Sequence, residues 1–368
     1  MTTDKEILKA IQPITQMYNE METELLIEIA SHFKANEELL NSDYWRLQKL
    51  DELGLLNQKT IDYISKYSNK SKKALLQAMK DIGYSTYNIK QLDSAFKDGQ
   101  FEIDPNTLIE NGTVDALIKY RYNDLDKSLI SMSSKIKDSV RQEYLKIVDK
   151  AYLEVSSGTK SYNQSIRESI DELSYNGLKT LQYKTISDDG ATKIRSYDIE
   201  SAVKREILTN TRALSGDIEK ATIDELKPEY VKFSEHINCR PSHFDWQGTI
   251  VKREQWESIA NFGEVDGIYG INCRHYVEPY FGDSRGDDLK EISKEEALKN
   301  YQMQQKKNYL QRNIRKWKRR KEMYKANGDN EMLTMSKQKI SSWQSKTDSF
   351  TKSNNIKRDY ANEYVTSK

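Results

Sequence analysis

The stretch HINCRPSHFDWQG, His236 to Gly248, is answered downstream by YGINCRHYVEP, Tyr269 to Pro279. These two segments decide how the chain is read. They hold both cysteines and three of the four histidines, in a chain otherwise patterned for helix. Tyr230–Phe233, Thr249–Val251 and His275–Val277 are short runs rich in β-branched and aromatic residues, and each predicts a strand. The character changes at Lys227-Pro228 and changes back near Gly286. Residues 227–286 are therefore predicted as a small α/β domain built into a mostly helical protein, giving an α+β fold class.

Outward from this domain, the apolar residues recur at three- and four-residue steps, which is the helical period. Leu8, Ile11, Ile14, Tyr18, Met21, Leu25 and Ile29 predict one long helix over 4–34, with Pro13 kinking it or marking its true first turn. Ser42 reads as an N-cap and Gly54 as the stop of a second helix; Asn57 starts another, and one more ends near Gly83. Val114 to Val155 reads as a helix of about 60 Å, with Ser128, Ser131, Ser133 and Ser134 as its point of interruption. Residues 161–182 and 197–226 follow as helices, separated by a turn at Asp188-Asp189-Gly190. The segments are then 1–100, the N-terminal helices; 101–226, a long-helix region; 227–286, the small α/β domain; and 287–368, a helical hairpin.

That hairpin is strongly basic. Residues 306–325 carry ten Lys or Arg against one acid, Glu322. Lys306, Lys307, Arg312, Arg315, Lys316, Lys318, Arg319, Arg320 and Lys321 are the candidate nucleic-acid contacts. Phosphates would balance this charge, and Trp317 and Tyr324 could stack on bases. A solvated face, or a face docked on acidic protein, explains the same run equally well.

Composition bounds the classes. The chain has 368 residues, 36% hydrophobic and 31% charged, a net charge of +1 and five prolines. Amphipathic helices with wet faces fit these values better than a thick globule or a turn-rich sandwich. Two cysteines do not make a disulfide scaffold. The N-terminus has no signal-peptide core, and no apolar run approaches the roughly 20 residues of a membrane span, so a cytoplasm-like compartment is expected and no membrane partner.

The paired segments admit four chemistries. Cys239, His243, Cys273 and His275 supply zinc-ligand types, spaced C-x3-H and C-x-H rather than as paired C-x-x-C. Cys239 and Cys273 could pair as a disulfide in an oxidising setting. His236, His243, Asp245 and His275 could form a general acid/base set or a metal-dependent nuclease centre, with Cys273 beside Arg274 as a low-pKa thiol. No P-loop, H-E-x-x-H or G-x-S-x-G accompanies them, so no catalytic residue is assigned and no cofactor required. The fourth reading is a buried polar knot of His236, Arg240, His243, Trp246, Asn272, Arg274 and His275, with the arginine donors tying loop carbonyls and Trp246 packed beneath. Such a knot holds only if its buried polar groups are paired.

The two segments resemble the R-P-S-H-x-x-W-Q-G and G-x-N-C-R-H-x-x-x-P patterns of the phage minor capsid protein 2 family. They are also similar to the Mu F-like head-morphogenesis proteins, which carry R-P-x-H and later N-C-R-C. Asp43–Leu47, Leu50–Gly54, Arg205–Thr209 and Arg312–Arg319 resemble further family segments in the expected order, while Cys239 departs from the family pattern. The resemblance implies a minor head protein of a tailed bacteriophage. It would sit in the virion near the portal, be made in the host cytoplasm, and serve in head assembly, DNA packaging or DNA delivery. Its implied partners are the portal, other head proteins and genomic DNA without sequence preference. Two rivals follow: a DNA-binding internal protein ejected with the genome, and a metal-dependent nuclease or toxin-like transferase on a phage scaffold.

Overall fold

The fold was obtained as a computed structural model. It describes residues 4–37, 41–87, 92, 99, 104, 106–186, 192–271, 273–281 and 292–365, the side chains of 181–195 excepted. The architecture is mostly helical with a few small strands, so the α+β class holds. Long helices α1 (Asp4–Ser31), α2 (Ser42–Thr86) and α4 (Thr113–Ser156) precede the shorter α5 (Tyr162–Asn176), with the single turn α3 (Thr107–Glu110) between α2 and α4. The hairpin β1 (Lys179–Ile186) and β2 (Thr192–Asp198) follows, then α6 (Ile199–Leu226). Next come β3 (Tyr230–Phe233), β4 (Ile250–Lys252), the single turn α7 (Trp256–Ile259) and β5 (Val277–Tyr280). Helices α8 (Lys294–Asn327) and α9 (Asn330–Ser353) form the C-terminal pair.

Several boundaries differ from the sequence reading. α2 is one helix of 45 residues. Gly54 stands in open space within it, and Gly83 is a packing feature, since a Cβ there would meet Ile118 at 2.8 Å. The cap of α2 is Asn41, not Ser42: the Asn41 Oδ1 accepts from Tyr44 N at 3.0 Å, the usual reach of an N-cap side chain. Pro13 lies inside α1 rather than at its start. The serines of α4 do not interrupt it; Ser133 turns its hydroxyl back onto the Leu129 carbonyl, a local bond that an intact helix tolerates.

The helix read over 161–182 ends at Asn176, where Gly177 takes φ +65, a backbone state open to glycine without strain. The chain then forms the antiparallel β1–β2 ladder, bulged between Lys179 and Leu181. The turn expected at Asp188–Gly190 lies outside the described residues. Asp198 ends β2 and opens α6 by accepting from Ser201 N at 2.9 Å.

The chain divides into two compact units that interleave along it. The first comprises 1–14, 72–128 and 204–305, the second 15–71, 129–203 and 306–368. Of the four stretches read in the sequence, 227–286 falls within one unit, and each of the others contributes to both.

In the first unit, β3 is the centre of an antiparallel sheet ordered β4-β3-β5. Pro279 lies in the edge strand β5, where its missing N–H is tolerated. Val231, Phe233 and Val277 from the sheet pack with Trp246, Trp256, Ile268, Tyr269 and the α6 residue Ile223 into one buried cluster. In the second unit Met21, Leu25 and Ile29 of α1, Val140 and Tyr144 of α4, Ile166 and Ile170 of α5, and Ile314 and Tyr324 of α8 are all buried. His32, the histidine outside the paired segments, belongs to this core: its Nδ1 is 2.8 Å from Glu52 Oε2 and its ring meets Tyr144 edge-on.

Candidate functional site

Pro241–His243 form a 3-10 turn after Arg240, and the fixed φ of Pro241 suits that first position. The turn projects His243 inward, while Cys273 and His275 come in on the segment leading to β5. The three side chains meet. His243 Nδ1 lies 3.2 Å from His275 Nδ1, and Cys273 Sγ lies 3.7 Å from each of them. All three residues are buried, with their ligand atoms within 4.8 Å of one another.

The outer nitrogens fix the tautomers. His243 Nε2 is 2.6 Å from the Asp266 carbonyl, an oxygen that can only accept, so this nitrogen carries the proton. His275 Nε2 is 3.1 Å from Gln247 Oε1. That amide oxygen also accepts from His236 N at 3.1 Å, which sets the orientation of the amide and again makes Nε2 the donor. Burial pushes His243 down to about 4. Burial, followed by the charges of His236, His243 and Arg240, holds His275 well below the usual histidine range. Both imidazoles are therefore neutral near pH 7, and both Nδ1 atoms turn bare lone pairs into the same small space. Burial raises the Cys273 thiol, while its partners and the nearby Arg240 and Arg212 pull the other way.

Trp246 packs against both histidines, at 4.6 and 4.7 Å between ring centres, and against Phe233 at 5.1 Å. His236 sits edge-on to His275 at 4.8 Å, and Arg274 Nη1 donates to Asn238 at 3.3 Å. Arg240 Nε and Nη2 and Gln247 Nε2 are buried with no hydrogen-bond partner. Asn272 lies outside the described residues. Cys239 is buried and is not among the three clustered ligands, and neither cysteine is disulfide-bonded.

The knot rests on α6 through residues that the sequence reading did not single out. Tyr269 lays its ring on Gly216, where an added Cβ would meet Cδ2 at 2.6 Å. Its hydroxyl reaches Glu219 and accepts from Val277 N at 2.9 Å. Burial raises the Glu219 carboxyl well above its ordinary value. Gly216, a glycine in the middle of a predicted helix, was the available signal.

The basic run takes a different form. Arg319 is 3% exposed. Its Nη2 donates to Asn19, Glu22 and Glu200 at 2.8, 3.1 and 2.9 Å, and its Nη1 lies 3.6 Å from Asp198. Arg315 pairs with Glu200 at 3.2 Å, and Arg320 with Asp171 at 3.0 Å. Lys318 and Lys307 donate to the carbonyls of Glu363 and Lys357, Lys321 pairs with Glu322, and Lys316 caps the Tyr175 ring. Trp317 and Tyr324 are engaged as well, the first beneath Arg320 and the second bonded to Asp171. Of the nine predicted contacts, Lys306 and Arg312 stand on the exposed face. The buried Arg319 is a strut between carboxylates and is closed to phosphate.

With this geometry in hand, the relatives are informative. A relative from Lactococcus phage LL-H, named a structural protein, is 26% identical over 336 residues, 87% of this chain and 88% of its own. A second, from Lactococcus phage mv4 and also named a structural protein, is 30% identical over 105 residues, 28% of this chain and 85% of its own. No solved structure matches. The sequence model described as phage minor capsid protein 2 matches residues 2–352, which span the knot, α6 and the basic helix alike, and the chain therefore belongs to the phage minor capsid protein 2 family.

Proposed function

We propose that this protein is built into the phage virion as a minor head component near the portal. Its role is structural, in head assembly, DNA packaging or DNA delivery, and not catalytic. The family match over residues 2–352 carries this reading. It is supported by the relative aligned over 87% of the chain, which is itself named a structural protein. The host cytoplasm would be the place of assembly, and the portal and other head proteins the partners.

Two features of the fold agree. Along α2, Tyr44, Leu47 and Leu55 are 71%, 66% and 66% exposed, and a run of large apolar side chains on one helix suits a protein neighbour. His243 and His275 of the knot are 1% and 4% exposed, so no substrate reaches these two as they stand. Among the described residues no helix is long and apolar enough to cross a membrane. The exposed Lys306, Arg312 and Lys325 of α8, with Lys337, Lys339 and Lys346 of α9, suit sequence-independent contact with genome phosphates.

The test is to quantify the protein by mass spectrometry in nuclease-treated, density-purified particles, before and after DNA ejection, with cross-linking. The expected result is a low copy number, retention in emptied heads and cross-links to the portal. Absence from full particles overturns the reading. Departure with the genome replaces it with that of an ejected DNA-binding protein.

A further inference from the structure

We propose that His243 Nδ1, His275 Nδ1 and Cys273 Sγ form a zinc site that clamps the turn at 241–243 to the segment entering β5. Three independent observations support this. The first is the spacing. Zinc bonds of about 2.05 Å to nitrogen and 2.3 Å to sulfur at tetrahedral angles place two nitrogens about 3.3 Å apart and sulfur about 3.6 Å from each. The protein holds them at 3.2 Å and 3.7 Å.

The second is the proton arrangement. Both Nε2 atoms donate outward, to the Asp266 carbonyl and to Gln247, which is how protein oxygens orient metal-binding imidazoles. The two Nδ1 lone pairs then face each other, and the single S–H of Cys273 can satisfy one of them. A cation satisfies both. The third is the nature of the donors. Two imidazoles and a thiolate suit zinc, whereas magnesium and calcium prefer oxygen.

Binding forms the Zn–S bond, and the Cys273 proton leaves to solvent. The resulting thiolate gives the neighbouring Arg240 guanidinium an acceptor, where Nε and Nη2 now lack one. Three protein ligands leave one tetrahedral position for water. Cys239, counted in the sequence as a fourth ligand, has no part in the site.

The test uses the full chain expressed with zinc in the medium. Elemental analysis is expected to find one zinc per chain, and Cys239→Ser to retain it. Exhaustive chelation of the wild type should lower Tm, with recovery on adding zinc but not magnesium. Cobalt in place of zinc should give a thiolate-to-metal absorption band that is missing in Cys273→Ala. Gln247→Leu, which keeps all three ligands, should weaken zinc binding by roughly 10–100-fold. Should Cys273→Ala not fold, the wild-type Tm response and the Gln247→Leu affinity still decide. Zinc-free protein whose Tm ignores added zinc overturns the proposal. Loss of zinc in Cys239→Ser overturns the ligand set.

Discussion

The knot around His243 and the node around Arg319 are both small, polar and buried, yet they are completed differently. Arg319 meets Glu22, Glu200 and Asp198 and leaves only Nε without a partner. The knot turns two lone pairs on each other and leaves three donor nitrogens, two on Arg240 and one on Gln247, unanswered. A buried polar group without a partner costs about 1–3 kcal/mol. A node whose charges already face one another needs nothing further from outside; a cluster with facing lone pairs has room for one more charged species. Buried polar clusters can thus be closed in themselves, as around Arg319, or leave donors and lone pairs unanswered, as around His243, and the zinc site proposed above rests on that difference.

The hardest test of that contrast is Arg319→Met. It removes the cation and leaves Glu22, with no exposed surface, and the half-buried Glu200. Breaking a buried pair by deleting one partner typically costs about 3–5 kcal/mol. A loss of that size in urea unfolding is expected. A change below about 1 kcal/mol would mean that Arg319 is no strut, and would return it to the surface run.

Glu22 sharpens the same node. Burial is the largest influence on it and pushes its carboxyl up to about 7, against the pull of Arg319, while for Arg319 burial pulls the guanidinium down and the surrounding carboxylates together outweigh it and raise it. Both values rise, yet they imply opposite things about one contact: the raised carboxyl disfavours the ion pair and the raised guanidinium favours it. Arg319 stays charged in either case, with three acids around it, so the titration belongs to Glu22. An acid whose folded value lies above its unfolded one contributes stability at low pH that is lost as pH rises. For Glu22 the window runs from about 4.5 to about 7, and the loss is on the order of 3 kcal/mol. The stability of wild type relative to Glu22→Gln should therefore fall between pH 4.5 and 7.5. A difference that grows with pH would show a Glu22 that ionises readily and draws net stability from Arg319.

On the other side of the comparison, Gly216→Ala probes the platform of the knot. Alanine favours helix over glycine by about 1 kcal/mol, but its Cβ would press into the Tyr269 ring at 2.6 Å, and overpacking costs about 1–3 kcal/mol. A net loss of about 1 kcal/mol is expected. A gain would mean that Tyr269 moves freely and that α6 does not hold the knot.

These residues also mark how far the sequence could be read. The two motif segments announced the knot, because cysteine, histidine and tryptophan in a glycine-punctuated stretch have few uses outside a compact domain. Apolar periodicity found α1 and α4 nearly to their ends. It failed at β1 and β2, whose alternation follows straight after a helical pattern, and at Gly54, which sits harmlessly inside α2 rather than stopping it; the end expected near Gly83 falls at Thr86. The Arg319 node was invisible because its carboxylates come from α1, β2 and α6, and charge counts along one helix say nothing about acids remote in sequence. Cys239 and Cys273 offered the same ligand type in the sequence, although Cys239 departs from the family pattern, and the fold gathers Cys273 with the two histidines and not Cys239.

The smallest expected effect on stability separates the surface of α8 from its buried face. Lys306 lies over the Tyr309 ring, and both it and Arg312 are exposed. Substitutions at such positions usually change stability by less than about 0.5 kcal/mol. If this face meets DNA, each phosphate contact removed should lower the slope of log affinity against log salt by about 1. Lys306→Ala with Arg312→Ala should then unfold like wild type while the salt slope for duplex DNA falls by about 2. An unchanged slope in the folded double variant would leave the basic run of α8 as internal struts and tyrosine-covering lysines, built to hold the helix in its unit and not to touch the genome. The opposite pattern, lost stability with the slope intact, would put these two side chains with Arg319 and erase the distinction between the faces.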